Sequence, residues 1–230
     1  MDKNLDKSVS SPARRIETVT IRGEEFDLLP ERCAFRRADQ TLLASDLHWG
    51  KAETFQNAGL ALPSTVIEDD LARLSFAICT TKAERLLILG DLIHSACGVT
   101  QGVKDRVSLW RKQHANLTLQ VIRGNHDRQY PWPESWNIDD IGTELEDGEF
   151  LFTHDEPRSN HEEKFVWMGH IHPVVHLKGG GDSLRLPCFM IERNLGLLPA
   201  FSAFTGGMSI GARASGKRVF AVADTSVIEV

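Results

Sequence analysis

Residues 119–127 read Leu119-Gln120-Val121-Ile122-Arg123-Gly124-Asn125-His126-Asp127. A short apolar run of this kind is a buried strand, and it stops at a glycine followed by three residue types that bind metal ions or move protons. The same arrangement recurs four times. Leu42-Leu43-Ala44 leads to Asp46-Leu47-His48, and Leu86 to Gly90 leads to Asp91. Phe150-Leu151-Phe152-Thr153 leads to His154, and Phe165 to Gly169 leads to His170-Ile171-His172. Ligands of open α/β sheets bind beyond the carboxyl ends of the strands, so five such ends can meet in one crevice.

Working outward, the segments between these strands carry helical signals. Thr65 with Glu68 forms a capping-box pattern, and Ile67, Leu71, Leu74 and Ile78 recur at helical spacing. Val103, Val107 and Trp110 mark one face of a second helix, which His114 shares as a packed core-edge residue. After Met168 the pattern changes to strands without helices, around Val174–Leu177, Leu184–Ile191, Leu195–Leu198 and Val219–Ala223, with a glycine turn at 179–182. The reading is two mixed sheets packed together with helices outside. Residues 1–20 read as a flexible leader and 21–230 as a single domain.

The chain has 230 residues, 41% hydrophobic and 25% charged, which fits a packed domain and disfavours disordered, collagen-like and coiled-coil classes. Its 26 basic and 32 acidic residues give −6, which excludes a uniformly basic nucleic-acid-coating protein. The acidity is regional. Residues 134–163 hold eleven acidic residues and only Arg158 against them, so the rest of the chain is positive. Cys33, Cys79, Cys97 and Cys188 are scattered, which suggests reduced thiols rather than a zinc cluster or a disulfide framework. No run reaches the ~20 apolar residues of a membrane span, and the expected location is the cytoplasm.

Asp46 and His48 are two apart, so in an extended segment both side chains face one ion; His170 and His172 can do the same or serve different ions. A carboxylate such as Asp91 can bridge two cations, and with His and Asn donors the inventory suits two divalent ions. Singly, an Asp at a strand end is usually a turn residue and a buried His a hydrogen-bonded core residue. Five together point to a metal centre.

These motifs, from about residue 41 to 173, resemble the ordered signature of the calcineurin-like metallophosphoesterases. The resemblance implies a four-layer αββα sandwich with a binuclear centre, in which Asp46, His48 and His172 bind one metal, Asn125, His154 and His170 the other, and Asp91 bridges. Asp46-Leu47-His48-Trp49-Gly50-Lys51, Gly90-Asp91-Leu92-Ile93-His94-Ser95, Leu186-Pro187-Cys188-Phe189 and residues 198–207 are similar to the bacterial ligase-associated DNA damage response endonucleases. That family implies a manganese-dependent phosphodiesterase and nuclease acting on DNA, preferring single strands, with functional ties to a DNA ligase and a helicase. Mn²⁺ rests on this resemblance, since the donors also permit Fe²⁺ or Zn²⁺. Trp49 departs from the family pattern, where a Leu is expected, and its bulk could alter access to the site.

The chemistry expected of such a centre is in-line attack by metal-bound hydroxide on phosphorus. His126 is the candidate general acid for the leaving oxygen, with Asp127 either orienting it or capping the following segment. Lys51, His94, Arg123 and Arg128 adjoin the motifs and are candidates for substrate contact; His161 and His176 have no argued role. Two other readings remain at this level: hydrolysis of a small nucleotide phosphodiester or pyrophosphate-linked metabolite, and a non-catalytic scaffold. A scaffold is expected to have lost a ligand, and none is missing.

Overall fold

In the computed structural model, residues 14–60, 63, 65–158, 163–179, 181–203, 205–211 and 216–230 are described. Seven strands form the first sheet in chain order: β1 (Glu17–Ile21), β2 (Glu24–Leu28), β3 (Ala34–Arg36), β4 (Thr41–Ala44), β5 (Arg85–Leu89), β6 (Thr118–Ile122) and β7 (Asp139–Gly142). β1 to β4 pair antiparallel and β4 to β7 parallel. Parallel neighbours need a crossover. Helices α1 (Lys51–Asn57) and α2 (Val66–Thr81) connect β4 to β5, and α3 (Gln101–Gln113) connects β5 to β6.

The second sheet contains β8 (Glu144–Asp147), β9 (Phe150–Thr153), β10 (Phe165–Met168), β11 (Pro173–Gly179), β12 (Asp182–Ile191), β13 (Leu195–Leu197), β14 (Met208–Ser209), β15 (Arg218–Val222) and β16 (Val227–Glu229). β10 lies between β9 and β13 and is parallel to both.

Alternation along the strands sorts their side chains into two cores. Leu42, Ala44, Leu86, Ile88, Leu119 and Val121 pack with Ile67, Leu71, Leu74, Val103 and Val107 of the helices. Their neighbours Leu43, Leu87, Leu89 and Ile122 pack with Phe150, Phe152, Phe165, Trp167, Phe189 and Phe220, which joins the two sheets face to face. A third cluster, including Val175, Cys188, Met190 and Val219, is built of strand and loop residues. All three α-helices among the described residues precede His114, so the expected two-sheet sandwich with flanking helices forms with its helices contributed by the first half of the chain.

Three local expectations change. Thr65 is the N-cap of α2, but with φ −86° and ψ 0° it lacks the extended backbone of a side-chain cap, makes no cap hydrogen bond, and leaves Glu68 to pair with Arg106 of α3 (2.5 Å). Residues 1–13 of the expected leader lie outside the described residues. Arg14 pairs with Glu31 (2.8 Å), Arg15 bonds the backbone at Thr225, and Val19 and Ile21 of β1 are buried, so chain engagement begins before residue 21. Trp49 is 2% exposed and packs edge-to-face on Trp110 and Trp136 in the helix-side core, so its bulk fills that core.

Candidate metal centre

The carboxyl ends of β4, β5, β6, β9 and β10 open on one side of the sandwich, and the side chains that follow them converge. Asp46, His48 and His172 offer donor atoms within 4.8 Å of one another, as do Asp91, His154 and His170. Asp91 stands between the two groups: Oδ1 lies 3.4 Å from His154 Nε2, and Oδ2 lies 4.0 Å from His48 Nε2. Asn125 Oδ1 lies 3.2 Å from the same His154 nitrogen, and His170 Nδ1 is also 3.2 Å from it.

Strain marks the site. Asp46, His48, Asp91, His170 and His172 all have φ between 50° and 63°, a left-handed conformation that costs on the order of 1–3 kcal/mol for a non-glycine residue. Neighbouring strand ends hold them there. Asp46 N–H donates to Gly90 O (3.1 Å), His48 N–H to Asp91 O (2.9 Å), and His170 N–H to Asp46 Oδ2 (3.1 Å). Glycines of the motifs have a steric reason, as two of them show. A Cβ on Gly124 would collide with Asp91 Oδ1 and N, and one on Gly169 with Ser45 Oγ.

The donors fit divalent cations. Asp46 Oδ1 and His172 Nε2 are buried, lie 2.9 Å apart, and neither has a hydrogen-bond partner among the described residues, as expected of two donors aimed at a common third atom. Burial pushes His48 down to about 3, so its ring is neutral and its lone pair is free. His154 donates from Nδ1 to Leu89 O (2.8 Å), which turns Nε2 toward Asp91 and Asn125. The set is nitrogen and oxygen without thiolate.

Burial alone would lower the pKa of His154, but its contact with Asp91 outweighs this and holds it at about 9; burial would raise Asp91, and His154 reverses that to about 2. Metal-free protein at pH 7 therefore carries a proton on His154 that a cation must displace. Metal loading at pH 7 is expected to release about one proton from this pair, with affinity rising with pH up to about 9 and levelling above it. Titration calorimetry in two buffers of different ionisation enthalpy measures this, and identical heats in both would contradict it.

His126 sits on the open rim. Its Nδ1–H donates to His94 O (2.5 Å), which leaves Nε2 directed at the centre, 3.9 Å from Asp91 Oδ2. His94 stacks between His126 and Phe55, and burial, then Lys51, lowers it to about 4. Lys51 is half-buried near Asp46 and His48, and burial lowers its pKa; its ammonium has no bonding partner among the described residues.

Two expectations are corrected. Asp127 does not reach the His126 ring. It is fully buried and accepts N–H bonds from Leu92, Ile93 and Gly124, tying the loop after β5 to the loop after β6. Arg123 is committed to Asp140 (2.8 Å) and to the carbonyls of Asp127 and Tyr130, so it is a structural strut rather than a free phosphate ligand. Arg128 is exposed and lines a cavity of about 240 Å³ next to Asn125 and His154, where Glu144, Asp155 and Glu156 offset its charge, Arg123 and Arg158. Sequence reasoning missed the carbonyls of Leu89 and His94, because a backbone oxygen carries no residue-type signal.

No helix among the described residues is long and apolar enough to cross a membrane. No family model matches the chain, and no curated protein matches it. Solved structures similar to the chain include the following two. Pseudomonas putida nuclease MPE matches with a TM-score of 0.80 at 32% identity, covering 94% of this chain and 100% of that one. YfcE, a phosphoesterase from E. coli, matches with a TM-score of 0.43 at 18% identity, over 83% of this chain and 97% of that one, too distant to support an argument. The whole-length match to the Pseudomonas protein, on a two-sheet sandwich whose strand ends gather two His/Asp donor sets, places the chain among the calcineurin-like metallophosphoesterases, as a metal-dependent phosphoesterase.

Proposed function

We propose that the protein is a cytoplasmic DNA nuclease that hydrolyses phosphodiesters, prefers single strands, uses Mn²⁺ and works in DNA repair alongside a DNA ligase and a helicase. The observation that carries the reading is the match, over the full length of the other chain, to a protein named as a nuclease. Asp46, His48 and His172 would hold one cation and Asn125, His154 and His170 the other, with Asp91 between. When bound, the pair supplies Lewis acidity toward the phosphoryl oxygens and lowers the pKa of water. Two carboxylates cancel half of the charge of two divalent ions, so the centre stays attractive to phosphate despite the acidic chain.

The chain's own residues do the rest. His126 delivers a proton from Nε2 to the leaving oxygen, held in position by the His94 carbonyl. Lys51 places an unpaired cation beside Asp46 and His48, where a non-bridging phosphate oxygen can meet it. Asp127 fixes the two loops that carry Asp91 and His126.

Manganese-loaded protein assayed in parallel on single-stranded DNA, duplex DNA, cyclic nucleotides and bis(4-nitrophenyl) phosphate tests the reading. Single strands are expected to be cut faster than duplex. Cleavage of the small diesters with both DNAs left intact would assign the enzyme to small nucleotide diesters instead.

A further inference from the structure

A second cavity, of about 190 Å³, opens beside His172. Arg32 and Arg185 line it together with His172, with no carboxylate, whereas three acids offset the arginines of the cavity beside His154. Its remaining wall includes Pro187, Ala203 and Thr205, from the two late motifs that the metal centre leaves without a role.

The cavity is built onto the backbones of two candidate ligands. Arg32 takes a left-handed backbone (φ 64°) in the turn between β2 and β3 and donates from Nη1 to the carbonyls of Phe201 (3.3 Å) and Ser202 (3.0 Å). Those two residues donate their N–H groups to Ser45 O (2.8 Å) and Asp46 O (3.2 Å). On the other wall, Met208 N–H donates to His172 O (3.1 Å). Arg185 packs over Gly207, where a Cβ would lie 3.0 Å from its Nη2 and 2.5 Å from His172 O. Arg185 is exposed and has no hydrogen bond or ion pair among the described residues. Asp70 and Asp224 act on Arg32 from outside the cavity, opposed by Arg73, but no carboxylate enters the lining and Arg185 has no ion pair among the described residues, so the two guanidinium groups match the geometry and charge of a phosphate.

We propose that this cavity binds the phosphate next to the scissile one in the same strand, so that Arg185 and Arg32 favour polynucleotides over substrates with a single phosphodiester. The inference rests on the nuclease reading and adds to it the side of the centre on which a flanking phosphate is held.

The test compares wild-type holoenzyme with Arg185→Gln and Arg185→Lys. As a charge-matched control, Arg193→Gln alters an exposed residue in the β12–β13 turn, at the end of those strands away from the centre. Substrates are a single-stranded oligonucleotide, a dinucleoside monophosphate and bis(4-nitrophenyl) phosphate. Arg185→Gln is expected to lower kcat/KM on the oligonucleotide roughly tenfold to a hundredfold while leaving the other two within about twofold. Arg185→Lys should recover part of the loss. The salt dependence on the oligonucleotide should flatten by about 0.7 in log–log slope for the lost contact, and Arg193→Gln should do none of this. A wild type active on every substrate whose Arg185→Gln variant loses none, or loses all equally, overturns the subsite alone. A wild type that hydrolyses the aryl diester but no oligonucleotide overturns the nuclease reading and the subsite with it.

Discussion

Replacing Asp91 by Asn is expected to abolish turnover, with kcat lowered at least about 10³-fold and metal content falling from two ions per chain to one or none. Asp91 is 2% exposed and faces both donor groups, with one oxygen toward His154 and the other toward His48. Asn keeps the shape but loses the negative charge and one of the two acceptor oxygens, so it cannot serve two cations equally. Metal ions supply several kcal/mol of transition-state charge stabilisation, and each 1.36 kcal/mol is about tenfold in rate. Asp91 also accepts the His126 backbone N–H (3.0 Å), a bond that Asn can still accept through its carbonyl oxygen. The variant should therefore fold, which circular dichroism checks while elemental analysis counts the metal. Two bound ions and more than a tenth of wild-type activity would remove Asp91 from the bridging position.

The positions of the candidate ligands were legible in the sequence because each follows an apolar strand, and the carboxyl ends of strands in two facing sheets can meet on one side of the sandwich. Asp46, Asp91, Asn125, His154 and His170 needed only that rule. The positive φ of five of the seven candidate ligands was not legible, since nothing in Asp-Leu-His or His-Ile-His encodes a left-handed backbone; only the packed fold around them imposes it. Asp127 misled for a related reason. Adjacency to His126 in sequence suggested an orienting pair, but the tight turn after β6 points the two side chains apart, and the carboxylate serves the backbone of another loop.

The acidic segment 134–163 gave no reading from composition, yet the fold partly explains it. Asp140 pairs with Arg123, and Asp147 with Arg36 and Arg85, so these acids of β7 and β8 neutralise arginines of the first sheet and its loops. β7 and β8 themselves escaped notice because their strands, Asp-Asp-Ile-Gly and Glu-Leu-Glu-Asp, are too short and too charged to show an apolar period. Helix α1 was hidden similarly, since Ala52 is its one buried side chain.

His126→Ala should separate the leaving groups. On DNA, the departing alkoxide needs a proton, and loss of a positioned acid costs roughly 10²–10⁴-fold. On bis(4-nitrophenyl) phosphate, the nitrophenolate departs without one, so kcat should stay within about fivefold of wild type. His48, His94 and His126 also bring donor atoms within 4.8 Å of one another, so metal content is counted in the variant, and an unchanged count keeps His126 outside the ligand set. The hydrogen bond to the His94 carbonyl sharpens this expectation. It holds the Nδ1 proton in place, so the acidic proton must leave from Nε2, on the side that faces Asp91 and the incoming phosphate. His126→Asn offers a test of the geometry, because its amide can still bond that carbonyl but has no proton to give at neutral pH; it should match His126→Ala on DNA. Equal losses on both substrates would instead make His126 a binding or positioning residue, and the general acid would be sought first at Lys51 and His94, which also carry exchangeable protons beside the centre.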